Sequence, residues 1–120
     1  MEVELTVIQA DAGVKLHTEF VYADVDGDDE TPIDITGYSA VISFRRTDAD
    51  EDVLTLTSNP AAGITITGES GLIAMDLTAE QTEELAADGG EHAWKLDLTA
   101  TGETDPEVRF AGQITTRPWP

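Results

Sequence analysis

The feature that most constrains this chain is a set of short runs in which apolar residues recur at every second position. From Val14, alternate positions give Val14, Leu16, Thr18, Phe20 and Tyr22 on one face, with Lys15, His17 and Glu19 on the other. Tyr38, Ala40, Ile42 and Phe44 repeat the pattern, opposed by Ser39, Ser43 and Arg45. Leu54 and Leu56 form a shorter run, as do Ile64 and Ile66. Ile73, Met75 and Leu77 alternate with Ala74 and Asp76, and Trp94, Leu96 and Leu98 with Lys95 and Asp97. Val108, Phe110 and Ile114 close the series with Gly112 in phase, and Val3, Leu5 and Val7 open it. A period of two is that of a strand with one face buried.

Turn residues separate the runs: Ala12-Gly13, Asp26-Gly27, Gly63, Gly68 to Gly71, Gly89-Gly90 and Gly102. Glycine supplies positive φ, and Asp closes local hydrogen bonds. Short strands at such intervals predict an antiparallel sandwich or barrel. One segment departs from the period. Thr78 followed three residues later by Gln81 is a capping-box signature. Glu83 to Ala87 then favours helix, and Gly89-Gly90 ends it. The pattern predicts one short helix over Thr78 to Ala87, anchored by Leu85. The expected core is Val14, Leu16, Phe20, Ile42, Phe44, Met75, Leu77, Trp94, Leu96 and Phe110.

With 120 residues, 40% of them hydrophobic, residues 1–120 are expected to form one domain. No cysteine is present, so disulfides and thiolate metal sites are excluded. The N-terminus lacks the basic start and apolar run of a signal peptide. No apolar stretch approaches the roughly 18 residues of a membrane span. The expectation is a soluble protein made in a cytoplasm.

Asp and Glu number 25 against six Lys and Arg, a net charge of −19. Nucleic acid is an unsuitable direct partner, because phosphate binding needs a basic patch, and anionic membranes fail for the same reason. A fold of this mass exposes on the order of 6,300 Å², so net charges average about 18 Å apart. That exceeds a Debye length of about 8 Å, and general repulsion is mostly screened. Two readings of the acidity stay open: solubility in a high-salt habitat, or an acidic face that meets a basic partner. Arg45 and Arg46 form the one adjacent basic pair and are candidate interaction residues, as is Trp119 in the tail Arg117-Pro118-Trp119-Pro120. Trp119 either folds back on the domain or serves as a contact.

Catalysis has little support. A serine or threonine nucleophile needs a base beside it. His17 and His92, the two histidines, sit in no catalytic motif and read as surface or rim residues. Asp76 and Asp97 fall on the outward phase of their strands. The densest acidic segment contains Asp24, Asp26, Asp28, Asp29 and Glu30. Its carboxylates make it a candidate calcium site, since calcium takes several oxygen ligands around a glycine turn. Its glycine is misplaced for an EF-hand loop, and the alternative is a solvated turn joining two strands. No other cofactor is implied.

The stretch Thr31-Pro32-Ile33-Asp34-Ile35-Thr36-Gly37-Tyr38-Ser39-Ala40 follows an acidic turn and leads into a strand ending Phe44-Arg45-Arg46. Farther on come Gly71-Leu72-Ile73, the Thr78-Ala79-Glu80-Gln81 helix start, Leu96-Asp97-Leu98, and a last strand from Val108 to Thr116. In these motifs and their order the chain resembles the immunoglobulin-like domain at the N-terminus of phage baseplate upper proteins and its relatives among phage tail proteins. The chain lacks the long C-terminal extension of baseplate upper proteins and is more acidic. The resemblance implies an immunoglobulin-like antiparallel β-sandwich with one short helix, and a non-enzymatic virion structural protein of the tail or baseplate. It implies other virion proteins as partners, in a homo-oligomer within a symmetric assembly. A capsid decoration protein and a calcium-dependent binding or adhesion module are the alternatives, with a carboxylate hydrolase behind them.

Overall fold

The alternating runs form strands, and their pairing divides them among three sheets. A computed structural model describes residues 2–4, 7–27, 29–47, 51–58 and 61–118. In chain order the elements are β1 (Glu2–Glu4), β2 (Ile8–Asp11), β3 (Leu16–Val21), β4 (Ala23–Asp26), β5 (Asp29–Pro32), β6 (Ser39–Arg46) and β7 (Asp52–Ser58). After these come β8 (Ala61–Ala62), β9 (Ile64–Thr67), β10 (Leu72–Leu77), α1 (Ala79–Ala87), β11 (Glu91–Thr99) and β12 (Val108–Arg117). The largest sheet has the order β1-β12-β11-β6-β7-β8, with β2 also on β12. A second sheet runs β3-β10-β9, and β4-β5 is a separate hairpin. Both β1 and β2 lie parallel to β12, whereas β12-β11-β6-β7 and β3-β10-β9 are antiparallel. The protein is thus mostly β with one α-helix among the described residues.

The core lies between the two larger sheets. Phe20 on β3 meets Trp94 on β11 with ring centroids 5.2 Å apart, and Tyr22 meets Phe110 on β12 edge-on at 6.0 Å. Ile42, Phe44, Met75, Leu77 and Leu96 are fully buried beside them. Gly112 shares the inward phase of β12 because the Trp94 indole lies across it. A Cβ at Gly112 would stand 3.0 Å from three indole atoms.

Val14 departs from the expected core and is 56% exposed. The reason lies in α1. The Thr82 hydroxyl, fully buried, accepts the Gly13 N–H (3.1 Å) and sits 3.1 Å from the Val14 carbonyl oxygen. This pins the backbone in a turn, so the pleat begins at Leu16 and Val14 falls outside it. Leu85 anchors the helix as expected. Thr78 is its N-cap, and the reciprocal Thr78–Gln81 bonds of the capping box are both made. At the other end the Gly90 N–H reaches the Leu85 carbonyl at 3.0 Å, with Gly89 left-handed between.

The corner before β6 is built by its own side chains. Asp34 Oδ1 accepts the Thr36 N–H at 2.9 Å and the Thr36 hydroxyl at 2.5 Å. These bonds, the hydroxyl's first, hold the Asp34 carboxyl below its ordinary pKa. Gly37 follows at φ 84°, a conformation that favours glycine. The corner buries Ile35 completely, a core residue outside the expected set.

Candidate interaction surfaces

The outward face of the largest sheet gathers basic side chains from three strands. Cross-strand registers place Lys95 between Ser43 and Ala111, Ala93 beside Arg45, and Asp97 beside Arg109. Ser43, Ala93 and Ala111 are small, and they floor a depression of about 370 Å³ rimmed by Arg45, Lys95 and Arg109. Three of the chain's six basic residues therefore stand on one face. Each has a carboxylate near it. Arg45 Nη2 lies 3.1 Å from Asp52 Oδ1, and Arg109 grips Asp97 through two bonds of 2.6 and 3.1 Å. Lys95 Nζ is 4.0 Å from Asp97 Oδ2. Among the described side chains, three cations and two carboxylates meet here, a concentration of basic residues in a chain of net charge −19. Lys95 and Arg109 escaped the sequence reading as site residues, although each occupies the outward phase of its strand. Comparing the phases of all basic residues would have found them.

Arg45 and Arg46, adjacent in sequence, do not act as a pair. Arg45 registers with Ala93 and Arg46 with His92, so alternation sends them to opposite sides of the sheet. Arg46 Nη1 lies 3.8 Å from Asp88 Oδ1. The other oxygen of Asp88 is 2.9 Å from His92 Nε2. His92 is 0% exposed, which corrects its reading as a rim histidine. It shares the inward phase of Trp94, Leu96 and Leu98, and Asp88 at the end of α1 supplies the partner that makes burial tolerable. His92 Nδ1 and Thr116 Oγ1 are buried with no hydrogen-bond partner among the described residues.

The acidic segment joins two strands, β4 and β5, in a hairpin, in line with its reading as a turn between strands. Asp24 pairs with Thr31, Val25 with Glu30 and Asp26 with Asp29. Directly opposed residues share a face, so Asp24 and Asp29 occupy one face and Glu30 the other. Asp24, Asp29 and Glu30 are exposed. Asp28 and Trp119 lie outside the described residues. Among the described residues no three His, Asp or Glu groups are arranged to hold a metal ion.

His17 marks a further polar group on the outward face of the second sheet. Its Nδ1 is 2.6 Å from Asp76 Oδ1, its cross-strand partner, and its Nε2 is 3.4 Å from Glu19 Oε2. The hydrogen bond to Asp76, then that to Glu19, raises its pKa above 6.5. All three side chains are exposed, at 53–57%. No described helix is long and apolar enough to cross a membrane.

No protein-family model matches the chain, and no curated protein matches it in sequence.

Proposed function

We propose that this chain is an immunoglobulin-like β-sandwich and a structural component of a tailed-phage virion, placed in the tail or baseplate and working through protein contacts. Strand order supports the fold. With β3, β6, β7, β9, β10, β11 and β12 taken as strands B, C, C′, D, E, F and G, one sheet is B-E-D and the other is G-F-C-C′. An immunoglobulin domain divides its strands B to G in the same way, which favours this reading. Phe20 and Trp94 join strands B and F where antibody domains carry their inter-sheet disulfide. His92, two residues before Trp94, reaches back to Asp88 as the tyrosine of the corner motif reaches upstream backbone.

The observation that carries the binding reading is the outward face of the G-F-C-C′ sheet. Its centre is a depression floored by small side chains, its rim carries three of the six basic residues, and the chain as a whole is strongly acidic. Such a face suits a neighbouring protein that brings carboxylates. Exposed ion pairs contribute only about 0–1 kcal/mol each, so exchanging them for pairs to a neighbour costs the fold little. Repeated copies at symmetric positions follow from the way virion proteins assemble.

Imaging of purified particles, with the chain located by a fused tag, tests this reading. Density at the tail or baseplate is expected, and loss of incorporation when Arg45, Lys95 and Arg109 are all changed to Glu. Absence from particles would overturn the virion reading. Density on the capsid lattice would replace the tail with a decoration role, and unchanged incorporation of the triple variant would remove this face as the contact.

A further inference from the structure

Strand β3 is an open sheet edge. It pairs with β10 along its whole length, from Leu16 opposite Leu77 to Val21 opposite Leu72, and with no other described strand. Other edges differ from it. The outer side of β12 carries β1 and β2, and β9 has four residues, whereas β7 meets β8 at Ser58–Ala61 and its register on β6 shifts between Phe44 and Arg45, an irregular edge. Exposed edges are normally blunted by proline, by lysine or by a bulge. The sequence Leu16-His17-Thr18-Glu19-Phe20-Val21 contains neither residue, and its register on β10 is unbroken.

The free hydrogen-bonding groups can be assigned. The Tyr22 N–H bonds the Gly71 carbonyl on the β10 side at 2.9 Å. In an antiparallel ladder the bonding direction alternates, so Phe20, Thr18 and Leu16 bond toward β10. The N–H and C=O groups of His17, Glu19 and Val21 therefore point outward along the free edge.

We infer that this edge pairs with β3 of a second copy of the chain, antiparallel, about a two-fold axis through Thr18. In that register Leu16 stands opposite Phe20 of the second copy, His17 opposite Glu19, and Thr18 opposite Thr18. Three independent requirements are met together. Inward side chains remain inward, because each pair joins residues of the same phase. The groups with free backbone bonds, His17 and Glu19, face each other and make four N–H···O bonds. Their side chains set an imidazole against a carboxylate on each side of the axis, a favourable cross-strand arrangement whenever His17 carries its second proton. A shift of one residue would turn the apolar face outward. A shift of two would centre the axis on Glu19 or His17 and set like groups against each other.

The net charge of −19 opposes association of two copies. That repulsion acts over a distance that salt shortens, to about 8 Å at physiological ionic strength. The dimer therefore strengthens as sodium chloride is raised, whereas a contact held mainly by surface ion pairs weakens.

Sedimentation of the whole chain over a range of concentration and salt tests the pairing. A monomer–dimer equilibrium is expected, shifting toward dimer with salt. H17E opposes glutamates across the axis and should weaken the dimer at least tenfold, and the double variant H17E/E19H should restore it. E19P removes one outward donor without touching a bond to β10 and should abolish the dimer. The chain has no cysteine, so T18C gives a direct readout. Residues opposed in a non-hydrogen-bonded pair have Cα atoms about 4.5 Å apart, within disulfide reach. Mild oxidation should cross-link T18C into a covalent dimer, and should not do so with V53C, an exposed position on β7. A chain that stays monomeric at millimolar concentration in high salt would overturn the inference. So would a wild-type-like dimer in E19P or equal cross-linking of T18C and V53C.

Discussion

Gly112 offers a quantitative test of how the two main sheets are packed. Its Cβ, if present, would lie 3.0 Å from Cε2, Cζ2 and Nε1 of Trp94, closer than carbon atoms comfortably approach. Gly112→Ala therefore pushes the indole away by a few tenths of an ångström. Overpacking of this kind costs about 1–3 kcal/mol. The displaced ring also strains the bond from Trp94 Nε1 to the Gln113 carbonyl, already 3.3 Å long, at a further cost of up to about 1 kcal/mol. Against this, removing a glycine from the unfolded chain stabilises by about 0.4–1 kcal/mol. The steric terms win, and the net destabilisation is about 2 kcal/mol. Urea unfolding followed by circular dichroism measures it. With a slope near 1.5 kcal/mol per molar, the midpoint should fall by about 1.3 M. The cause is separable by a double-mutant cycle with Trp94→Leu. Once the indole is gone, Gly112→Ala should be neutral or slightly stabilising. An equal loss in both backgrounds would refute the contact as the reason for glycine. Ala111→Ser, next door but facing outward, should stay within about 0.5 kcal/mol of the parent.

Further expectations concern the helix, a histidine and the acidic hairpin. Thr78→Ala breaks the capping box and should cost about 1 kcal/mol in the same unfolding assay. Leu85→Ala removes the buried apolar side chain of α1 and should cost about 2–5 kcal/mol. The proton of His17 is held more tightly in the folded chain than at 6.5, its ordinary value, by Asp76 and then Glu19. Its contribution to stability is thus full below pH 6.5 and fades as pH rises through the higher folded-state value. A proton NMR titration should show that elevated midpoint, and Asp76→Asn should lower it. Calcium chloride is expected to raise the melting temperature only as far as sodium chloride of equal ionic strength, because Asp24 and Glu30 occupy opposite hairpin faces. A rise that saturates at low calcium would contradict that reading.

The sequence by itself determined the local elements. Period-two runs located the longer strands, glycines marked the turns, and Thr78 with Gln81 marked the start of the one α-helix. These signals are legible because alternation, turns and caps depend on residues a few positions apart. Val14 shows where such a signal stops. It continues the phase of β3 but is drawn out of the pleat by Thr82, 68 residues away in the chain. His92 shows the converse, a polar residue that its phase buries and that Asp88 makes tolerable there. Only the tertiary structure decided which strands pair, and everything at the surface follows from that choice. Pairing sends Arg45 and Arg46 to opposite sides and brings Arg45, Lys95 and Arg109 to one face. By sending β1 and β2 to β12, it also leaves the edge of β3 open. Strand partners are selected by burial and register across the whole chain, and no local pattern encodes them.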